Sequence, residues 1–389
     1  MTWEKMKLSE CCVSIADGDH QPPPKAVFGV PFVTISNITS NNRFDFENAM
    51  FVPQEYYDSL DTKRKPIPGD ILYSVVGSFG IPVLVRDMKP FVFQRHIAIL
   101  RPNEKVLSSF LYYTMLSRDF FARADAVAVG AAQRTISLSA LRNIQISLPS
   151  INIQRRIADT LSAYDDLIEN NQKQIKLLEE AVQRLYKEWF IDLRFPGHES
   201  TPIVNGIPEG WNEKIISEIV EYHDKRRKPL SSEERASFQG EYRYYGAAGI
   251  LDHVKEYLFD GVYLLLGEDG TVITKEGFPV LQYVSGQFWV NNHAHVLTGK
   301  GVYSTEFVYM LFKHTKVSDV VTGVAQPKIS QARLSAKRVL TPSDELVTRY
   351  TRSTKAFFDR ILVVEREIDK LVEVRDRLLP KLMSGEIEV

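Results

Sequence analysis

The sequence predicts an α+β fold with a pseudo-twofold internal repeat: two similar mixed α/β domains, separated by two long antiparallel helices that form a coiled coil. Three observations predict it. A segment about a third of the way along the chain returns about half a chain later. A long apolar seam with three- and four-residue steps follows each copy. The stretches before the seams carry short strand signals.

The repeat is read from Gly130-Ala131-Ala132-Gln133-Arg134-Thr135-Ile136-Ser137, which matches Gly323-Val324-Ala325-Gln326-Pro327-Lys328-Ile329-Ser330 at an offset of 193 residues. The same offset carries Leu141 to Leu334 and Pro149 to Pro342. Upstream, Arg95-His96-Ile97-Ala98-Ile99-Leu100 matches Asn292-His293-Ala294-His295-Val296-Leu297 at an offset of 197, and Tyr73, Gly77 and Gly80 are matched to Tyr263, Gly267 and Gly270 at 190. Trp3 opens the first copy and Trp211 the second. A period this long indicates a duplicated domain rather than a solenoid.

Within the copies, segments 32–35, 71–76, 81–85 and 97–100 read as strands, with counterparts at 262–266 and 294–297. Segments 108–123 and 304–316 each read as one helix, and Gly69-Asp70 and Gly240-Glu241 as turns. The first seam runs Leu161, Tyr164, Ile168, Asn171, Ile175, Leu178, Val182, Leu185 and Trp189. Adding 193 gives the second: Thr354, Phe357, Ile361, Val364, Ile368, Leu371, Arg375, Leu378 and Leu382, with Val374 as the apolar substitute beside Arg375. Asn171 is a polar residue of the kind that fixes register on such a seam. Neither helix can bury its stripe alone, so each is expected to bury it against the other. Leu161 to Trp189 would span about 42 Å at 1.5 Å per residue. Pro380 is expected to bend or end the second helix. The expected domains are therefore 1–150, a central helical region 151–195, linker and second domain 196–345, and a C-terminal helical region 346–389.

Composition narrows the function. The chain has 389 residues, 48 basic and 49 acidic, for a net charge of -1. No global field draws in an anionic partner, so any such binding needs local patches. No run reaches the roughly 18 apolar residues of a membrane span, and the start lacks the apolar core of a secretion signal. The two cysteines, Cys11 and Cys12, cannot build a disulfide framework or a four-ligand zinc site. These features predict a cytoplasmic chain with no membrane partner.

Catalytic motifs are scarce. No Walker-type loop, no strand–GxGxxG–helix and no Asn/Asp-Pro-Pro-aromatic segment occurs. Gly77 to Gly80 and Gly267 to Gly270 read as tight turns. His293 and His295 alternate on a strand with no carboxylate placed nearby by sequence, and Asp17-Gly18-Asp19-His20 reads as a turn with a capping Asp. No catalytic or metal-binding residue is assigned. Basic and aromatic residues do cluster in the loops of both copies: Arg64, Lys65, Gln94 and Arg95 in the first; Lys225, Arg226, Arg227, Tyr244 and Tyr245 in the second. Arg and Lys neutralise phosphates, and Arg and Gln read purine edges, so these are the candidate DNA-binding residues.

Four segments resemble motifs of the specificity (S) subunits of type I restriction–modification systems, and the resemblance covers nearly the whole chain. They are Ile15-Ala16-Asp17-Gly18-Asp19-His20; Leu148-Pro149-Ser150 through Gln154-Arg155-Arg156-Ile157-Ala158; Tyr244-Tyr245-Gly246-Ala247-Ala248-Gly249-Ile250; and Leu378-Leu379-Pro380-Lys381-Leu382-Met383-Ser384-Gly385-Glu386-Ile387. The second copy departs from the first at its helix entry, with Val347-Thr348-Arg349-Tyr350 in place of Gln154-Arg155-Arg156-Ile157. The resemblance implies two target recognition domains that bind a split double-stranded DNA site, one half-site each, with the helices setting the gap. It implies no catalytic activity in this chain. Two methylation subunits would bring S-adenosylmethionine, and restriction subunits would bring ATP and Mg. Two alternatives are a recognition subunit whose methylase and nuclease share one polypeptide, and a non-DNA coiled-coil scaffold.

Overall fold

Alternating apolar residues on short strands build both domains. A computed structural model describes residues 3–18, 22–39, 41–131, 133–323 and 325–389. Asp19 and His20 of the first motif, and Ala132 and Val324 of the repeated segment, lie outside the described residues. The chain divides into two compact units, Met1–Asn170 with Glu367–Val389, and Asn171–Arg366. The expected helical regions are thus not separate from the domains: each unit contains a portion of both long helices.

The first unit contains β1 (Glu4–Lys7), α1 (Leu8–Cys11), β2 (Cys12–Asp17), β3 (Val30–Val33), β4 (Met50–Val52), α2 (Gln54–Ser59), β5 (Ile71–Ser74), β6 (Pro82–Leu84), β7 (Val92–Phe93), β8 (Ile97–Pro102), α3 (Ser108–Leu116), α4 (Arg118–Val127), α5 (Leu138–Asn143) and β9 (Gln145–Leu148). It also holds the start of α6 (Ile151–Tyr186). Strands order as β2-β8-β5-β6 and β4-β3-β7, with β1 paired to β9. Period-2 alternation places Ile97 and Ile99 of β8 in one core and Ala98 and Leu100 in the core on the other face.

A hairpin, β10 (Ile203–Val204) and β11 (Ile207–Pro208), precedes the second domain. That domain has β12 (Asn212–Ile215), α7 (Ile216–Ile219), β13 (Val220–Tyr222), α8 (Ser232–Ser237), β14 (Gln239–Tyr245), β15 (Ile250–Val254), β16 (Phe259–Gly267), β17 (Leu281–Val290), β18 (Ala294–Gly299), α9 (Thr305–Lys313), β19 (Val321–Thr322), β20 (Lys328–Ile329), α10 (Gln331–Ala336) and β21 (Arg338–Thr341), followed by α11 (Asp344–Ser384). Its main sheet orders β13-β18-β16-β17-β14-β15.

Strand pairing exposes the duplication. The sequence β2-β8-β5-β6 corresponds to β13-β18-β16-β17, and β1-β9 to β12-β21. β3 runs parallel to β7, as β14 runs parallel to the far end of β17. The single long β17 does the work of β6 and β7 together. In the first unit residues 85–91 interrupt that path, which splits one six-strand sheet into four plus three.

Several sequence expectations are corrected by these pairings. Ser74 stands opposite Ile97, and Gly267 opposite Ala294. Ser74 therefore corresponds to Gly267, Tyr73 to Leu266 and Gly77 to Gly270, an offset of 193 rather than 190. The expected single helix 108–123 is two helices, because the Ser117 hydroxyl accepts from Phe120 N–H and starts α4. Gly240-Glu241 is not a turn but lies inside β14, at a bulge where Gln239 and Tyr242 both pair with Val254. Gly240 approaches Lys255 so closely that a Cβ would sit 2.4 Å from its Cα.

Both long helices begin at equivalent positions, Ile151 and Asp344, exactly one repeat apart. In the first unit Ile157 and Leu161 of α6 share a core with Leu379 and Leu382 of α11. There Arg375 pairs with Asp165 at 2.8 Å, and the Tyr113 hydroxyl donates to the same carboxylate at 2.7 Å. In the second unit Tyr350 donates to the Val182 carbonyl (3.2 Å) and Arg360 to Gln174 (3.0 Å). Within each unit the helix portions therefore run antiparallel.

The first seam places Leu161, Ile168 and Val182 among the buried residues, with Asn171, Ile175, Leu178 and Leu185 half-buried. The second seam drifts by one residue. Val347, Tyr350, Thr354, Phe358, Ile361 and Val364 are buried, whereas Phe357 is 36% exposed. Two successive four-residue steps, 350 to 354 to 358, move the stripe off a strict heptad. Ile368, Leu371 and Leu378 are half-buried, and Leu379 lies deeper than Leu378. Val374 is 41% exposed and does not replace Arg375, which stays on the seam through its ion pair. Pro380 does not end α11, which continues to Ser384.

Gln154 explains why its motif needs an amide. It is 1% exposed, accepts from Leu107 N–H (2.9 Å), and donates to the carbonyls of Lys105 (3.0 Å) and Pro149 (2.9 Å). Cys11 and Cys12 are buried and unpaired; burial pushes their thiols up to about 11 and about 12, which keeps them protonated and unreactive.

Candidate nucleic-acid interface

In each unit, three backbone segments meet at the end of β5 or β16 and form a ledge. In the first, Val75 N–H donates to the His96 carbonyl (2.8 Å), Ile136 N–H to the Val75 carbonyl (2.9 Å), and Gly77 N–H to the Arg134 carbonyl (3.0 Å). In the second, Glu268 N–H donates to His293 (2.8 Å), Ile329 N–H to Glu268 (2.9 Å), and Gly270 N–H to Pro327 (3.0 Å). The turn after β7 or β17 thus lies on one side of the strand extension, and the repeated Gly-x-x-Gln turn on the other. Gly130 and Gly323 have φ of 96° and 81°. A Cβ on either would meet the carbonyl oxygen of Gln133 or Gln326 at 2.4 or 2.3 Å. Only glycine fits that turn without strain.

The end of β2 joins the first ledge. A Cβ on Gly18 would lie 2.3 Å from the Phe93 carbonyl oxygen and 2.5 Å from the carbonyl carbon of Gln94, so a glycine lets Asp17-Gly18 pack against the turn. Asp17 pairs with Arg64 at 3.6 Å. The turn that carries Arg64 and Lys65 is held from below by Arg101. That guanidinium donates to both oxygens of buried Asp70 (2.9 and 2.8 Å) and to the Lys65 carbonyl (3.0 Å). These hydrogen bonds to Asp70 raise the Arg101 pKa further. Lys65 also donates to the Asp58 carbonyl (2.8 Å) and sits over the Tyr57 ring. Gln94 is half-buried, and Arg95 is exposed beside it. The structure therefore brings Arg64, Gln94 and Arg95 to one end of the first domain.

The second domain treats its candidates differently. Lys225 is exposed. Arg226 stacks on the Phe259 ring at 4.6 Å and donates to the Leu258 carbonyl (2.6 Å). Arg227 is turned inward: it donates to Glu268 (2.7 Å) and the Ala294 carbonyl (2.6 Å), pairs with Asp224 (3.4 Å), and is 13% exposed. Asp224 in turn holds His295 Nδ1 at 2.6 Å and accepts from Val296 N–H at 2.8 Å. Tyr244 and Tyr245 are 1% and 7% exposed. Tyr244 accepts from Leu230 N–H (2.9 Å), and Tyr245 packs edge-on to Phe288. Arg227, Tyr244 and Tyr245 are thus framework residues, a correction to their reading as DNA contacts.

The fold also places carboxylates beside His295 that the linear sequence keeps far away. Ligand-type atoms of Asp224, Glu268 and His295 lie within 4.8 Å of one another. Each is engaged by the protein: Asp224 by His295, Glu268 by Arg227, and His295 Nε2 by the Ile329 carbonyl at 2.8 Å. This is a buried hydrogen-bonded charge cluster. A guanidinium set between the carboxylates is the wrong neighbour for a cation.

Sequence reasoning used Gln133 and Gln326 only as markers of the repeat, and it passed over Asn292. All three are exposed on the ledges. For the two glutamines the signal is recurrence of the same residue at the same glycine turn in both copies; Asn292 carries none, since the first copy has Arg95 there.

Among the described residues no helix is long and apolar enough to cross a membrane. A family model described as "Type I restriction modification DNA specificity domain" matches residues 1–180 and again 208–347. The MjaIX type I restriction enzyme specificity subunit of Methanocaldococcus jannaschii is 25% identical over 82% of this chain and 78% of its own length. The HindI type I restriction enzyme specificity subunit of Haemophilus influenzae is 19% identical over 92% of this chain and 95% of its own. The crystal structure of a type I restriction–modification S subunit from Mycoplasma genitalium superposes with a TM-score of 0.57 at 19% identity, covering 98% of this chain and 96% of that one.

Proposed function

The chain belongs to the type I restriction modification DNA specificity domain family, and from that premise we propose that each of its two ledges reads one half of a bipartite DNA target. The observation that carries this reading is the ledge itself. The same three-segment hydrogen-bonded scaffold occurs in both domains, while the accessible side chains beside it differ: Gln94 and Arg95 in one, Asn292 in the other. A common scaffold with different polar tips is what two related readers of different sequences require. Arg95 can bind a guanine edge, Gln94 or Asn292 an adenine edge, and Arg64, Lys65, Lys225 and Arg226 can neutralise phosphates.

The chain supplies recognition, and other polypeptides supply chemistry. Two methylation subunits dock on the helical portions and bring S-adenosylmethionine; restriction subunits bring ATP and Mg. The assembly acts in the cytoplasm. α6 and α11 are continuous helices shared between the units, and their length sets the gap between half-sites.

Replacing Gln94 and Arg95 together by alanine tests the assignment. A lost bidentate contact costs about 1–3 kcal/mol of discrimination. Methylation in a strain carrying the intact system is expected to become tolerant at one or two positions of one half-site, with the other half-site unaltered. An unaltered motif would remove these residues from base reading.

A further inference from the structure

We propose that Gln133 and Gln326 are equivalent, sequence-independent contacts to the sugar–phosphate backbone of duplex DNA, one in each half-site. The proposal rests on the DNA-reading assignment above and adds a division of labour within each ledge. The two copies keep the same residue here, on the same turn. The turn is fixed alike in both: a left-handed glycine, a carbonyl closing against that glycine, and an N–H from Gly77 or Gly270 at 3.0 Å. Antiparallel pairing at its base is also shared, Val129 with Thr135 and Thr322 with Lys328.

Both glutamine side chains are exposed, and neither makes a side-chain hydrogen bond among the described residues. A primary amide next to a backbone held at its base by these hydrogen bonds is well placed to bind. Across the strand extension the neighbouring turn does the reverse at its exposed position, changing from Arg95 to Asn292. A protein that reads two different half-sites must vary the groups that touch bases. It can keep the groups that touch what every duplex shares, and that shared feature is the phosphate backbone. Glutamine is among the side chains that donate to phosphate oxygens, and it brings no charge.

The test uses the full chain assembled with its methylation subunits, comparing Gln133→Ala, Gln326→Ala and the double variant. Each single change is expected to weaken binding about tenfold, as loss of one hydrogen bond to a charged phosphate oxygen does. The loss should be equal on a duplex carrying the recognised motif and on one lacking both half-sites. The methylated motif should stay unchanged. So should the slope of log affinity against log salt, because an amide releases no counterions. A change of motif at one half-site would make the glutamines base readers and overturn the proposal. Weaker assembly with the methylation subunits, at unchanged DNA affinity of the assembled complex, would make the turn a protein-docking element instead. Unchanged DNA binding in all three variants would also overturn it. An unmodified complex that does not discriminate between the two duplexes would refute the underlying DNA-reading assignment itself.

Discussion

Arg227→Ala is expected to destabilise the second domain by about 3–5 kcal/mol, the usual cost of removing one partner from a buried ion pair. Arg227 lies against Glu268 and Asp224, whose side chains are 14% and 8% exposed, and also holds the Ala294 carbonyl at the start of β18. Without it, two carboxylates remain side by side with the half-exposed Lys328 as the remaining basic partner. Their mutual repulsion in a poorly hydrated site falls on the strand end that carries the ledge. Urea unfolding of the full chain, followed by tryptophan fluorescence, measures the loss through its midpoint. Arg226→Ala is the control. Its guanidinium is exposed, stacking on the edge of the second core at Phe259 and donating to the Leu258 carbonyl, so about 1–2 kcal/mol should be lost. Equal shifts for the two variants would contradict the assignment of Arg227 to the framework.

Ile361→Asp is expected to cost on the order of 4–5 kcal/mol, because it places an unpaired carboxylate in a seam that is closed to water. Ile361 is 2% exposed, in the same core as Tyr350, Phe358 and Phe307. The core around it includes an aromatic cluster in which Tyr186, Phe190 and Tyr350 meet edge to face. Phe357→Asp, four residues earlier, should cost less than about 1 kcal/mol, since that side chain already faces solvent. Thermal unfolding of the two variants separates a seam through 358 and 361 from one through 357. Matching losses would restore the strict heptad read from the sequence.

That contrast shows what sequence could resolve. The duplication, its offset of 193 and the two long helices were legible because each leaves a periodic trace. The helix entries at 151 and 344 even keep the offset to the residue. The drift to Phe358 was not legible, since two adjacent phenylalanines fit either phase. Offsets across β5 and β16 were ambiguous for a related reason: Tyr73 and Tyr263 look alike, and only the pairing of Ser74 with Ile97 and of Gly267 with Ala294 decides.

The candidate interface was half legible. Basic loops were found, yet Lys225, Arg226 and Arg227 are consecutive and chemically similar, and only tertiary contacts separate the exposed from the inward-facing. Tyr244 and Tyr245 misled because alternation normally sends one of two neighbours to solvent. β14 is covered on both faces, so the pair enters two different cores. Asp224 and Glu268 join His295 only through strand pairing, across gaps that no local pattern bridges.

The central claim is that each domain independently reads one half-site while the helices keep the gap. The most direct measurement exchanges residues 1–150 for the corresponding domain of another family member, and sequences the methylated motif in a strain carrying the intact system. The account predicts a new sequence in one half-site, with the other half-site and the gap length unchanged. A motif altered in both halves, or altered in neither, would contradict it.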